Sequence, residues 1–207
     1  MLLPNQDQFD DISSPSSDNS YLPSPIKPKN VPSEMDLASI PSFLQESYLY
    51  GNPSITKLRP WQIELFQMEE WKAHRNCLVL VPTAGGKTVA AEVAIAQLLE
   101  LNPLAQIIYC LPFVSLAAEK FNDFTHRFKK FHVKPFYANV GSSEFSNGNI
   151  AICTFEKAHA LINAAIRNKY ISNFKLIIID EVHMLGDPHR GATVEALVTK
   201  MRLLPSP

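Results

Sequence analysis

Val81-Pro82-Thr83-Ala84-Gly85-Gly86-Lys87-Thr88 is the stretch that decides the fold. It follows an apolar run, Cys77-Leu78-Val79-Leu80, which reads as a strand. It opens onto Val89-Ala90-Ala91-Glu92-Val93-Ala94-Ile95, which reads as a helix. Strand, tight glycine turn, Lys-Thr and helix together form the layout of a phosphate cradle. Glycines let backbone N–H groups approach phosphate oxygens, and the helix start adds unpaired donors and a positive dipole end. In that layout Lys87 reaches the β- and γ-phosphates and the Thr88 hydroxyl ligates Mg²⁺. Val81 stands where the G-x-x-x-x-G-K-[ST] pattern has its first glycine, and a glycine turn of this kind can also be purely structural.

A second stretch answers the first. Lys175-Leu176-Ile177-Ile178-Ile179 is the β-branched run of a strand buried on both faces, and it ends in Asp180-Glu181-Val182-His183. A carboxylate at a strand end, in a chain that carries a phosphate loop, is placed to hold Mg²⁺. The neighbouring Glu181 can then orient and deprotonate an attacking water. Taken alone, Asp-Glu after a strand is a solvated turn; paired with Lys87 it reads as nucleotide chemistry.

Three further stretches stand in order between and after these two. They are Leu111-Pro112-Phe113-Val114-Ser115, Thr154-Phe155-Glu156-Lys157-Ala158 and His183-Met184-Leu185-Gly186-Asp187-Pro188-His189-Arg190-Gly191. Together with Pro82–Thr88 and Asp180–His183 they resemble the motifs of superfamily-2 helicases, and within them the polymerase-theta/HELQ group. The resemblance spans about residues 58–204. It implies a RecA-like P-loop NTPase domain, ATP with Mg²⁺, 3'-5' DNA unwinding in DNA repair, and a nuclear protein. It assigns Thr83, Ala84, Gly85, Gly86, Lys87 and Thr88 to nucleotide, Thr88 and Asp180 to metal, and Lys87 and Glu181 to catalysis. It also implies that Pro112, Phe113, Ser115, Thr154, Glu156 and Lys157 meet single-stranded or forked DNA. Family helicases carry a Ser-Ala-Thr motif, a second RecA-like domain and an arginine finger beyond this point. The expectation is therefore a first motor half, inactive by itself. A non-catalytic binding fragment and an RNA motor are the alternatives.

Composition agrees with an α/β domain. Nearly half of the 207 residues are hydrophobic, enough for a packed core. No apolar stretch reaches the ~18 residues of a membrane span, and the start lacks the basic, apolar plan of a signal peptide. Residues 1–57 carry three Lys/Arg against seven Asp/Glu, and the rest carries sixteen against thirteen. That mild positive balance permits nucleic-acid binding without demanding it. The three cysteines, Cys77, Cys110 and Cys153, each fall in an expected strand, read as small buried hydrophobes rather than a zinc site.

Along the chain, residues 1–40 form a Ser/Pro-rich tail without hydrophobic period, expected to be disordered. Ser24-Pro25 there is either a kinase site or inert. Residues 41–57 are a linker or a short aromatic docking element, and 58–207 are the motor domain. Pro60 suits a helix start, with Trp61, Leu65 and Met68 at helical spacing. Gln62, 25 residues before Lys87, is a surface glutamine on its residues alone; the resemblance makes it an adenine reader, its amide matching adenine's acceptor and donor. The helix to about Leu101 is apolar almost all round. Gln106–Cys110, Val133–Tyr137 and Asn149–Cys153 are further strands, with Pro135 demanding an edge or a bulge. Ala117, Phe121, Phe124, Phe128 and Phe131 make a core stripe, Gly141–Gly148 an exposed loop, and Thr154 a helix N-cap. Val194, Leu197, Val198 and Met201 share one face of a last helix. Strand–helix units repeated about five times call for a parallel sheet with helices on both faces and ligands beyond the strands' carboxyl ends.

Overall fold

The computed structural model describes residues 37, 40–51, 55–82, 84–142 and 144–203, all within one compact unit, Pro32–Pro207. Thr83 and the Ser/Pro tail lie outside the described residues, apart from Leu37 and Ile40, which are both buried. In chain order the elements are α1 (Ser42–Leu49), α2 (Pro60–Gln67), α3 (Glu69–Lys72), α4 (Lys87–Leu101), β1 (Gln106–Leu111) and α5 (Val114–Arg127). Then follow β2 (Val133–Phe136), β3 (Ile150–Thr154), α6 (Phe155–Arg167), β4 (Phe174–Ile179) and α7 (Gly191–Leu203). Short 3-10 turns at Ile171–Asn173 and Val182–Gly186 flank β4.

The four strands are all parallel, in the order β2-β3-β1-β4. Alternation along β1 sends its residues to two cores. Ile108 and Cys110 join Ala151 and Cys153 of β3 in a cluster with Ala158, Leu161 and Ile162 of α6 and Val194 and Leu197 of α7. On the opposite face, the Tyr109 ring meets Phe124 of α5 edge-on, centroids 5.2 Å apart. Helices therefore cover both faces, as a parallel sheet requires.

Pro135 sits on β2, an edge strand, where its missing N–H costs no ladder bond. Phe124 and Phe128 are fully buried, whereas Phe121 and Phe131 are half-buried. Phe43 of α1 covers what remains, 5.4 Å from Phe131. Leu44 and Tyr48 bury α1 on the domain. Its anchor is polar: the Tyr48 hydroxyl donates to Glu92 Oε2 at 2.6 Å. Arg127 Nε lies 3.3 Å from the other carboxylate oxygen, and its guanidinium stacks 4.8 Å above the Tyr48 ring. Burial raises the Glu92 carboxyl above its ordinary range, opposed by Arg127 and the Tyr48 hydrogen bond.

Five expectations need correction. Cys77–Leu80 is not a strand: residues 75–82 run without regular structure, Cys77 is exposed, and Leu78 and Leu80 are 69% and 75% exposed. An apolar run becomes a strand only when a neighbour accepts its ladder, and among the described residues β4 pairs with β1 alone. For the same reason β4 is not buried on both faces; Leu176–Ile179 are half-buried at the end of the sheet. Gln62 is not a surface glutamine: it is buried on α2 with Ile63 and Phe66. The 141–148 loop is not wholly exposed, since Phe145 enters the core and stacks on Phe174 at 5.9 Å. Val198 stays 37% exposed while Val194 and Leu197 are buried.

Candidate functional site

Parallel register brings the functional stretches to one sheet edge. Leu111 pairs with Thr154, and Cys110 with Ile179, so Pro112, Phe155 and Asp180 all follow directly from the carboxyl ends of their strands. The Asp180 N–H donates to Cys110 O at 3.0 Å and extends the ladder by one bond.

The phosphate loop is held by α2. Three consecutive loop carbonyls accept from three residues at the start of that helix. Arg59 Nη2 donates to Ala84 O at 3.1 Å, Trp61 Nε1 to Gly85 O at 3.1 Å, and Gln62 Nε2 to Gly86 O at 2.9 Å. The other end of the Gln62 amide accepts the Arg59 N–H at 2.8 Å, so the side chain is 2% exposed and both its ends are engaged by the chain. Gly86 is the N-cap of α4 with φ +85°, and a Cβ there would meet Gln62 Nε2 at 2.8 Å. Gly86 O also accepts the Val89 N–H at 3.2 Å, and the N–H groups of Lys87 and Thr88, ahead of the helix ladder, are a donor set for an anion. Lys87 opens α4, and its ammonium donates to Val81 O at 3.3 Å. Thr88 follows it, half-buried. This donor set fits a nucleotide phosphate.

The carboxylates follow β4. Asp180 Oδ2 accepts the Tyr109 hydroxyl at 2.8 Å, and Oδ1 accepts the Glu181 N–H at 2.9 Å. Tyr109 is held well above its ordinary pKa, first by burial and then by the Asp180 carboxylate. Glu181 takes a left-handed φ of 55°, and its Oε2 lies 3.1 Å from His183 Nδ1. Among the described residues no three His, Cys, Asp or Glu side chains are grouped to hold a metal. A divalent ion at this site would rest on one carboxylate, one hydroxyl and phosphate oxygens, the sparse protein ligation that Mg²⁺ tolerates.

A third cluster is an open groove of about 490 Å³. Pro112, Val114, Ala138, Thr154, Glu156, Lys157, Ala160 and Arg190 line it. Phe113, 42% exposed, joins through Arg190, whose guanidinium lies 4.6 Å from the ring centroid. Ser115 is exposed and lies outside the lining. Thr154 is the N-cap of α6 by position only; its side chain makes no capping bond and is buried.

Four residues with no role assigned on sequence grounds make the contacts just described: Arg59, Trp61, Tyr109 and Arg190. Arg59 and Trp61 flank Pro60 at a recognisable helix start, and Arg190 lies in a quoted motif, so a signal existed for these three. Tyr109 had none beyond its strand.

A parallel α/β domain with a glycine phosphate loop, an Asp-Glu strand end and a groove on the same edge is a nucleotide-driven motor domain in design. The chain belongs to the DEAD/DEAH box helicase family, whose model matches residues 60–207. It is 33% identical to mouse (Mus musculus) DNA polymerase theta over 164 residues, 73% of this chain and 6% of that protein. It is 30% identical to human (Homo sapiens) Helicase POLQ-like, covering 79% of this chain and 15% of that one. The ATP-dependent DNA helicase Hel308 of Methanococcus vannielii is 32% identical, covering 74% and 21%. The chain thus spans about a fifth or less of the length of these relatives. Among solved structures, the DUF1998 helicase MrfA bound to DNA and AMPPNP shares the fold, with TM-score 0.57, 20% identity and coverage of 70% and 21%. No helix among the described residues is long and apolar enough to cross a membrane.

Proposed function

We infer that this chain is the ATP-binding first motor domain of an ATP-dependent DNA helicase. The observation that carries the reading is the clamp of Arg59, Trp61 and Gln62 on three successive loop carbonyls, which holds the loop just ahead of the α4 start, whose first amides can serve as anion donors. In this reading Lys87 exchanges Val81 O for phosphate oxygens, and Thr88 and Asp180 hold Mg²⁺. Bound Mg²⁺ would neutralise charge on the β- and γ-phosphates. Glu181 orients the attacking water and takes its proton. The groove of Pro112, Thr154, Glu156 and Lys157 receives single-stranded DNA, with Phe113 and Ser115 at its rim.

DNA rather than RNA rests on the names of the relatives, several of which are DNA helicases, and 3'-5' direction and a repair role rest on the family resemblance of the motifs alone. A nuclear setting rests on the animal relatives alone, since Methanococcus and Pyrococcus proteins match as well. These 207 residues by themselves bind rather than unwind, because they offer one wall of a cleft.

Titration with a fluorescent ATP analogue tests the reading. Binding should require Mg²⁺ and should be lost in Lys87→Ala. Equal affinity of the two proteins, with or without EDTA, would remove the nucleotide assignment.

A further inference from the structure

We propose that Glu156 is a built-in competitor for DNA rather than a contact to it, and that Arg190 is the strand-binding cation it holds in reserve. The inference rests on the reading of the groove as a single-strand site. Arg190 Nε lies 3.5 Å from Glu156 Oε1, and the two side chains are 33% and 55% exposed. The guanidinium also lies over Phe113, 4.6 Å from its ring centroid. Of the charged side chains that line the groove, Lys157 and Arg190 are cationic, and Glu156 is the one anion.

The turn that presents Arg190 is rigid. Asp187 Oδ1 accepts the N–H groups of His189 and Arg190, at 2.9 and 2.8 Å, and these bonds hold its carboxyl below the usual range. Gly191 N–H donates to Asp187 O at 2.8 Å. A Cβ on Gly191 would stand 2.3 Å from Leu185 O, so only glycine allows this approach. These bonds fix the backbone from which Arg190 springs, and its contacts with Phe113 and Glu156 then place the guanidinium.

The carboxylate is easily displaced. An exposed ion pair without hydrogen-bond geometry contributes little, and a guanidinium accepts a phosphate at least as well as a carboxylate. An incoming strand therefore takes Arg190 from Glu156, while Phe113 stays beneath the guanidinium. Glu156 acts by occupying Arg190, which the strand must first take from it. Its role is to hold affinity down, so that the strand binds weakly and can move on.

Fluorescence anisotropy with a labelled dT15 oligonucleotide and the 207-residue chain tests this, with thermal melts confirming that each variant folds. Glu156→Gln should bind about twofold to fivefold more tightly than wild type, the factor that an exposed pair can withhold. Arg190→Gln should bind more weakly, with a salt slope shallower by roughly 0.7, one phosphate contact. Arg190→Lys should keep the slope but lose affinity, since it cannot stack on Phe113. In the Arg190→Gln background, Glu156→Gln should recover little. An unchanged or weakened Glu156→Gln, or an equal gain in both backgrounds, would overturn the competitor role while leaving the groove a DNA site. No binding by wild type or any variant would overturn the groove reading itself, and the proposal with it.

Discussion

Tyr109, in the middle of β1, donates its hydroxyl to Asp180 Oδ2 at 2.8 Å, across 71 residues of chain. The ring is buried and edge-on to Phe124, so the hydroxyl has one direction to point. With the Glu181 N–H on Oδ1, the Asp180 carboxylate is oriented before any metal arrives. The motif that ends β4 is thus positioned from β1, by a residue outside every motif.

Tyr109→Phe keeps the ring contact with Phe124 and deletes only the bond to Asp180. Hydrogen bonds to charged groups contribute about 1.5–3 kcal/mol, and the part-buried site puts the expected loss near the lower end. Chemical denaturation of both proteins measures it. An unchanged midpoint would mean that the ladder bond from Asp180 N–H to Cys110 O holds the carboxylate without help.

Gln62 separates two ways of serving a nucleotide. The resemblance makes it an adenine reader, yet its amide is spent on Arg59 and Gly86. Acting through the loop, Gln62→Ala should weaken ATP and inorganic tripolyphosphate by similar factors, because both use the same α4 amides. Competition titrations against a fluorescent ATP analogue compare them. A loss confined to ATP would return Gln62 to the base.

What could be read from the chain alone was whatever depends on local composition. Strands at Gln106–Leu111, Ile150–Thr154 and Phe174–Ile179 are β-branched runs that no helix period fits, and Pro135 marked its own edge. The strand reading of Cys77–Leu80 failed because strand formation is decided by a partner, and those four residues carry no record of one. Partners far along the chain were equally hidden. Glu92 looks like an ordinary charge on an apolar helix until Tyr48 and Arg127 arrive from α1 and α5. In the candidate site, the loop and the Asp-Glu pair are each one continuous stretch, so the sequence alone could point to them. The clamp on the loop and the Arg190–Glu156 pair join separate segments, so only the fold shows them.

His159 supplies a pH dependence with a definite sign. Its Nε2 lies 2.6 Å from Lys200 Nζ, which also donates to Asn163 Oδ1 at 2.5 Å. Burial, then the Lys200 charge, lower its pKa from the ordinary 6.5. In the unfolded chain it takes a proton near 6.5, while the folded chain still resists. Between the lowered value and 6.5 the unfolded state therefore binds more protons, and stability falls as pH falls. The melting temperature of wild type should drop on acidification through this window, and His159→Gln should drop less. Parallel curves for the two would remove His159 from the acid response.

The final expectation concerns work rather than binding. In the proposed reading Asp180 and Glu181 place a metal and a water and the groove holds a strand, but all of these lie at one edge of one sheet. Unwinding needs two bodies that close on ATP and open on its products, and an opposing arginine adds about 10³-fold or more to phosphoryl transfer. The 207-residue chain, assayed by itself, should therefore bind ATP and DNA without separating a forked duplex, and its ATP turnover should sit near background. A strand-displacement assay with Glu181→Gln as the background control measures this. Here the control matters, because a single-strand binder can trap frayed ends and mimic slow unwinding without hydrolysis. Strand separation by wild type that requires ATP and vanishes in Glu181→Gln would mean that one motor domain suffices, with self-association as the first place to look for the second wall.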